Sequence, residues 1–217
     1  EDSTAEVDMN VVMTGAGRTG KFLACEHWSL RPDIIGMAKG FAAGYAPLGA
    51  MAARRDIVDA VMASGGFAHG YTYAGNPLAC SAGVAVLEVL QRGHLVDRAR
   101  VMGDKLKSEL KDLMSHYEII GDVRGKGLLL AFELVSDRKT MAPLAPQLNA
   151  HVELVEAAYK RGLIIYSRRT RGGTIGDHFM ICPPLIVDED QIGEIMGLLT
   201  ESLDTMIAKL KLPPRSG

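Results

Sequence analysis

Residues 33–40 read DIIGMAKG, an apolar run that ends in Lys39 and passes at once into the glycine-rich turn GFAAGYAPLG. With Pro32 before it and Lys39-Gly40 after it, Asp33–Ala38 reads as a short buried strand. A lysine held at a buried strand end loses hydration. That favours the neutral amine and frees it to act as a nucleophile, which a Schiff-base lysine requires. The glycines after it let other backbone or a flat ligand come close. By spacing alone, a lysine that snorkels from a strand terminus is the better reading.

Upstream, Met13–Phe22 (MTGAGRTGKF) fits two phosphate-binding patterns at once. Gly15, Gly17 and Gly20 spell G-x-G-x-x-G, and Gly15, Gly20 and Lys21 spell G-x-x-x-x-G-K. A triphosphatase loop needs Ser or Thr directly after its lysine to hold magnesium, and Phe22 stands there. A dinucleotide site needs an acid at the end of the next strand to hold the ribose, but Asp33 precedes its strand. Both readings fail. A glycine loop that permits close backbone approach remains.

Composition narrows the rest. The chain has 217 residues, 47% of them hydrophobic, which can fill one large domain or two small ones. With 24 basic and 26 acidic residues, no charge excess points to nucleic acid or to a membrane surface. The lead-in EDSTAEVDMN is polar, unlike a signal peptide, and no apolar stretch is long enough for a bilayer. Cys25, Cys80 and Cys182 lie far apart without C-x-x-C spacing. They read as buried thiols of a reducing, cytoplasmic compartment, with no metal site.

Periodicity predicts mixed α and β structure throughout. Val11–Met13 and Gly49–Ala53 read as strands, Lys21–Trp28 as a short helix or loop, and Asp56–Ala63 as a helix. Asn76-Pro77 starts a helix rich in small residues, which belongs in a core and is broken by Gly93. A half-exposed helix follows from about Leu95. Gly121–Val135 contains the strand LLLAFELV, Asn149–Arg161 is helical, and LIIY (163–166) and HFMIC (178–182) are strands. Asp188 with Gln191 caps a last helix. A boundary is expected near residues 96–103, with an α/β part before it and a compact α+β unit of about three strands and three helices after it.

Four segments in order, residues 13–51, HGYTYAGNPLACSAGVAVLEVL, GDVRGKGLLLAFELVSDR and GDHFMICPPLIVDEDQI, closely resemble class III pyridoxal-phosphate aminotransferases of the ω-aminotransferase-like group. The resemblance covers nearly all of the chain from Val12 onward. It implies a fold-type I α/β transferase, with residues 1–98 as the C-terminal part of the cofactor-binding large domain and residues 99–217 as the small domain. The implied activity moves an amino group from an amine or amino acid to a 2-oxo acid by a ping-pong route, with pyridoxal 5'-phosphate as cofactor and a homodimer with shared sites as the assembly.

Residue by residue, Lys39 matches the family's Schiff-base lysine, which also shuttles the proton between substrate carbon and cofactor. Thr72, with the backbone after Tyr71, matches the group that binds the cofactor phosphate of the neighbouring subunit. Val12 matches the apolar residue packed on the pyridine ring. Arg168 or Arg169 lies where related enzymes place an arginine for the substrate carboxylate, a task suited to its planar fork. A solvated basic loop is the alternative. His69 and Trp28 read as structural.

The chain also departs from the family. Asn10-Val11-Val12 stands in place of Asp-Glu-Val, so an uncharged carboxamide would face the ring nitrogen where the family has an acid. Asp8 would need a two-residue shift to substitute. The family's N-terminal half has no counterpart in the sequence, so a truncated enzyme is expected. The rival expectation is a non-catalytic fragment that serves as a binding or subunit-interaction module.

Overall fold

The structure, a computed structural model, describes residues 8–215. It contains two compact units, Glu1–Asp97 and Arg98–Gly217.

The first unit is built on a three-stranded sheet of β1 (Asp8–Asn10), β2 (Ile34–Ala38) and β3 (Gly49–Ala53), in that order. β1 runs parallel to β2, with Asn10 opposite Gly36, and β3 runs antiparallel, with Gly49 opposite Ala38. The first strand thus lies earlier than Val11–Met13. Val11 N still donates to Gly36 O at 2.9 Å, but Val11 O accepts from Gly15 N at 3.0 Å. That second bond spends the carbonyl the ladder would need and turns the chain at Val12. Residues 1–7 of the polar lead-in, and the side chains of residues 8–10, lie outside the described residues.

A 3-10 turn covers Ala24–Trp28, and α1 (Arg55–Ala63) follows β3. α2 (Pro77–Arg92) starts as its sequence demands, with Asn76 Oδ1 accepting from Ala79 N at 3.1 Å and proline at the first helical position. Its expected place in a core is not what the unit provides. Only Gly83 and Leu90 of this helix are buried, while Leu78 and Val84 are exposed. The close approach its small residues permit is made at Gly83, where a methyl would stand 2.6 Å from Leu48 Cδ2. Cys25 is buried, but Cys80 on the open side of α2 and Cys182 are exposed, against the expectation of three buried thiols.

The second unit holds the large core. After α3 (Leu95–His116) come β4 (Ile120–Lys126), β5 (Leu129–Asp137), β6 (Ala142–Pro143), α4 (Ala150–Tyr159), β7 (Tyr166–Thr170), β8 (Ile175–Ile181) and α5 (Glu189–Leu210). The strands lie in the order β4-β5-β8-β7, antiparallel throughout, with β6 paired to β5. Among the described residues there are five strands where about three were expected, because residues 120–137 form a hairpin and not one strand and the short β6 adds another. Of the LIIY segment only Tyr166 pairs. Leu163 N caps α4 by donating to Ala158 O at 3.0 Å, and the strand begins only at Tyr166.

Register explains the core. Val123, Phe132 and Phe179 form one cross-strand row, and the two phenylalanine rings stack at 4.9 Å. Leu106 and Leu110 of α3, Leu154 of α4 and Ile192, Leu199 and Leu203 of α5 complete the same buried cluster. The neighbouring row, Asp122, Glu133, His178 and Arg168, must point to the opposite face by strand alternation. Asp188 and Gln191 cap α5 reciprocally, at 2.8 and 3.1 Å. No helix among the described residues is long and apolar enough to cross a membrane.

Candidate active site

The parallel pair β1 and β2 brings two sequence-selected positions to one end of the first sheet. Asn10 is the last residue of β1 and pairs with Gly36, and Lys39 follows directly on the last residue of β2. Carboxyl ends of adjacent parallel strands are where open α/β sheets bind ligands. Lys39 also has a left-handed backbone, φ 54°, uncommon for a residue with a Cβ and a frequent mark of functional sites.

The glycine loop reaches the same turn. A methyl on Gly40, next to Lys39, would lie 3.2 Å from Ala16 Cβ and 3.9 Å from Gly15 O. Within the loop the three glycine amides and that of Arg18 are already committed: Gly15 N to Val11 O, Gly17 N to Phe22 O at 3.3 Å, Arg18 N to Gly15 O at 3.4 Å and Gly20 N to Gly17 O at 2.9 Å. Amides satisfied internally do not cradle a phosphate, so both nucleotide readings fail on geometry as well as on sequence. Asp33 sits at the opposite end of β2 from Lys39, and Arg54 Nη1 donates to it at 2.6 Å.

The burial expected at the lysine is absent from this unit. β2 is half-buried along its whole length and Lys39 is exposed, because the described residues cover the faces of the sheet only in part. Val12 is half-buried in the turn after β1, beside fully buried Val11. Tyr71 and Thr72 are presented to solvent on a turn held by Ala74 N to Tyr71 O at 2.9 Å and Asn76 N to Tyr73 O at 3.0 Å. The Tyr71 ring meets His69 edge to face at 4.9 Å.

In the second unit, structure separates the two arginines that the sequence left equivalent. Arg168 is exposed, its guanidinium 5.4 Å from the Tyr166 ring centroid. Arg169 turns inward, where Nε donates to Asp177 Oδ1 at 2.7 Å and Nη2 to Pro146 O at 3.0 Å. Asp177, buried to 2% exposure, also has His151 Nδ1 3.2 Å from the same oxygen. That contact is off the hydrogen-bonding direction, and Nδ1 has no hydrogen-bond partner among the described residues. Burial first, and the Arg169 charge second, push the His151 imidazole below its ordinary range, against the upward pull of Asp177. Sequence reasoning passed over Asp177, although it shares the strand parity of Phe179 and Ile181 and so was marked as inward-facing.

The side chains available suit pyridoxal phosphate: a reachable primary amine for its aldehyde at Lys39, an exposed hydroxyl for its phosphate at Thr72, and an apolar residue for its ring at Val12. The side chain of Asn10, expected to face the ring nitrogen, lies outside the described residues.

Comparison with known proteins agrees with that chemistry. A family model described as aminotransferase class-III matches residues 9–203. An uncharacterized aminotransferase of Bacillus subtilis, YodT, is 37% identical over 92% of this chain and 46% of its own length. The taurine–pyruvate aminotransferase of Bilophila wadsworthia is 34% identical over 93% of this chain and 45% of its own. Among solved structures, the PLP-bound amine transaminase from an uncultivated Pseudomonas species superposes with TM-score 0.80 and 37% identity, covering 88% of this chain and 42% of that one. The chain belongs to the class III aminotransferase family. These are pyridoxal-phosphate enzymes of fold type I, and the α/β unit and the α+β unit are parts of that architecture. The chain spans less than half the length of the curated relatives it matches.

Proposed function

We propose that the intact protein is a transaminase that moves an amino group from an amine or amino acid to a 2-oxo acid in two half-reactions. In this reading residues 1–98 are part of the cofactor-binding large domain and residues 99–217 are the small domain. The observation that carries it is the placing of Asn10 and Lys39 at the same carboxyl end of two parallel strands, with the glycine loop against the lysine turn.

Pyridoxal phosphate, when bound, supplies an aldehyde for the amine and an electron-withdrawing ring that stabilises charge at the substrate carbon. The protein groups do the rest. Lys39 holds the cofactor through its amine and, when released, carries the proton taken from the substrate carbon. Thr72, with the backbone after Tyr71, binds the phosphate of the neighbouring subunit's cofactor in a homodimer. Val12 packs against the ring. Asn10 would offer the ring nitrogen an uncharged carboxamide where the family has a carboxylate. Arg168 takes the carboxylate of the 2-oxo acid or amino acid, since its guanidinium is exposed while that of Arg169 is committed to Asp177. A relative named for taurine and pyruvate supports an amine donor paired with a 2-oxo acid.

The test is amine-dependent conversion of pyruvate to alanine by the intact enzyme, followed in wild type and Lys39→Ala. Loss of turnover in the variant supports the reading, and turnover that survives Lys39→Ala overturns it.

For the 217 residues by themselves a second reading has its own support. The exposed Met51, Leu78 and Val84 suit a surface that binds another polypeptide.

A further inference from the structure

Arg168 and Arg169 are adjacent on β7, which among the described residues is an edge strand paired only with β8. Side chains alternate along a strand, so a slip of one residue would exchange their faces. Two adjacent arginines make the two registers chemically alike at this point. The surrounding structure removes the ambiguity. Arg168 pairs with His178, but the next pair is Thr170 with Ile175, so Gly176 and Asp177 of β8 bulge opposite Arg169 alone. Gly176 has φ 80°, which favours glycine at such a bulge, and Thr170 Oγ1 donates to Ile175 O at 3.0 Å across it. Inside the bulge the Asp177 carboxylate, 2% exposed, receives Arg169 Nε at 2.7 Å, while Nη2 ties the same guanidinium to Pro146 O.

We infer that Asp177 and Arg169 are a positioning pair that fixes the register of β7 and thereby decides which arginine is presented to the substrate carboxylate. This rests on the carboxylate role proposed for Arg168. Asp177 accepts whichever arginine lies inward, and the bulge at Gly176, the Thr170–Ile175 bond and the Pro146 carbonyl make that residue Arg169, so Arg168 is held outward. Asp177 and Arg169 do not touch substrate; they act through Arg168.

The experiment compares, in the intact enzyme, KM for a 2-oxo acid with KM for an amine donor that lacks a carboxylate. Asp177→Asn is expected to raise the first about tenfold, as when Arg168 faces outward in only about a tenth of the molecules, and to change the second by less than about twofold. In an Arg168→Ala background the same substitution is expected to add less than about twofold, because the two act in series. The double variant Arg169→Leu/Asp177→Leu removes both buried charges and gives β7 one arginine and one apolar inward residue. It fixes the register by another means and stays folded where Asp177→Asn leaves a cation unpaired, so KM for the 2-oxo acid is expected within about threefold of wild type. Equal effects on both substrates, full additivity with Arg168→Ala, or a tenfold defect persisting in the double leucine variant would each overturn the inference. An unchanged KM in Arg168→Ala overturns the carboxylate reading itself. A raised KM there, with an unchanged KM in Asp177→Asn, overturns the positioning role alone.

Discussion

Gly103 of α3 lies so close to Gly127 in the β4–β5 hairpin that a methyl on Gly103 would stand 2.2 Å from the Gly127 carbonyl carbon. Helix and hairpin backbone meet there with no room for a side chain. Alanine gains about 1 kcal/mol of helix propensity over glycine, but forcing backbone apart in a packed core costs about 1–3 kcal/mol or more. Gly103→Ala is therefore expected to lower stability by about 1 kcal/mol or more net, read as a lower urea midpoint. Gly193→Ala in α5, where nothing lies within 4 Å, is expected to shift the midpoint the other way.

His151 predicts a pH dependence of folding. Its folded-state affinity for a proton is depressed below the ordinary value of 6.5, so below that pH the unfolded chain takes up a proton the folded chain resists. Stability is thus level above about pH 6.5 and falls as pH drops through the depressed folded value. In His151→Gln the loss of urea midpoint between about pH 7 and about pH 5 is expected to be smaller than in wild type. An equal loss in both would assign the acid sensitivity to other groups.

Exposure in the first unit predicts how the 217 residues behave alone. Tyr45, Met51, Leu78 and Val84 are more than half exposed, and Lys39 has no covering layer among the described residues. The purified chain is expected to self-associate, seen as a mass above the monomer by light scattering, and to bind a hydrophobic dye. With pyridoxal phosphate, an amine donor and pyruvate it is expected to form alanine far more slowly than about 1 per second. A monodisperse monomer, or ordinary turnover, would contradict this.

What could be read from the sequence was decided locally. The Asn76-Pro77 start of α2 and the Asp188–Gln191 cap of α5 depend on a few neighbouring residues, and both are found as read. The end of β1 depends on a bond from Gly15 back to Val11, which no alternation pattern announces. LIIY has strand composition, but the amide of Leu163 is spent on capping α4. The burial of α2 was misread because small residues permit close packing without supplying a partner. At the candidate site, the place of Lys39 directly after a strand was legible from the run that ends in it. The facing of Arg168 and Arg169 was not, since it turns on a bulge at Gly176 in another strand.

Thr72, exposed on its turn, makes the shared site testable. If each subunit lends Thr72 to its neighbour's phosphate, a heterodimer of Lys39→Ala and Thr72→Ala subunits has one site without either lesion. Mixing two intact-length variants under conditions of shown subunit exchange is expected to restore activity that neither has alone. Absence of rescue would place Thr72 in its own subunit's site or in none.

The central claim is that Lys39 is the amine that holds the cofactor. Its most direct test is borohydride reduction of the intact enzyme with pyridoxal phosphate, followed by proteolysis and mass mapping of the pyridoxyl group. The label is predicted on the peptide that carries Lys39, and it should vanish in Lys39→Ala. A label on the peptide of Lys21, or of any other lysine, with Lys39 unmodified, would contradict the account.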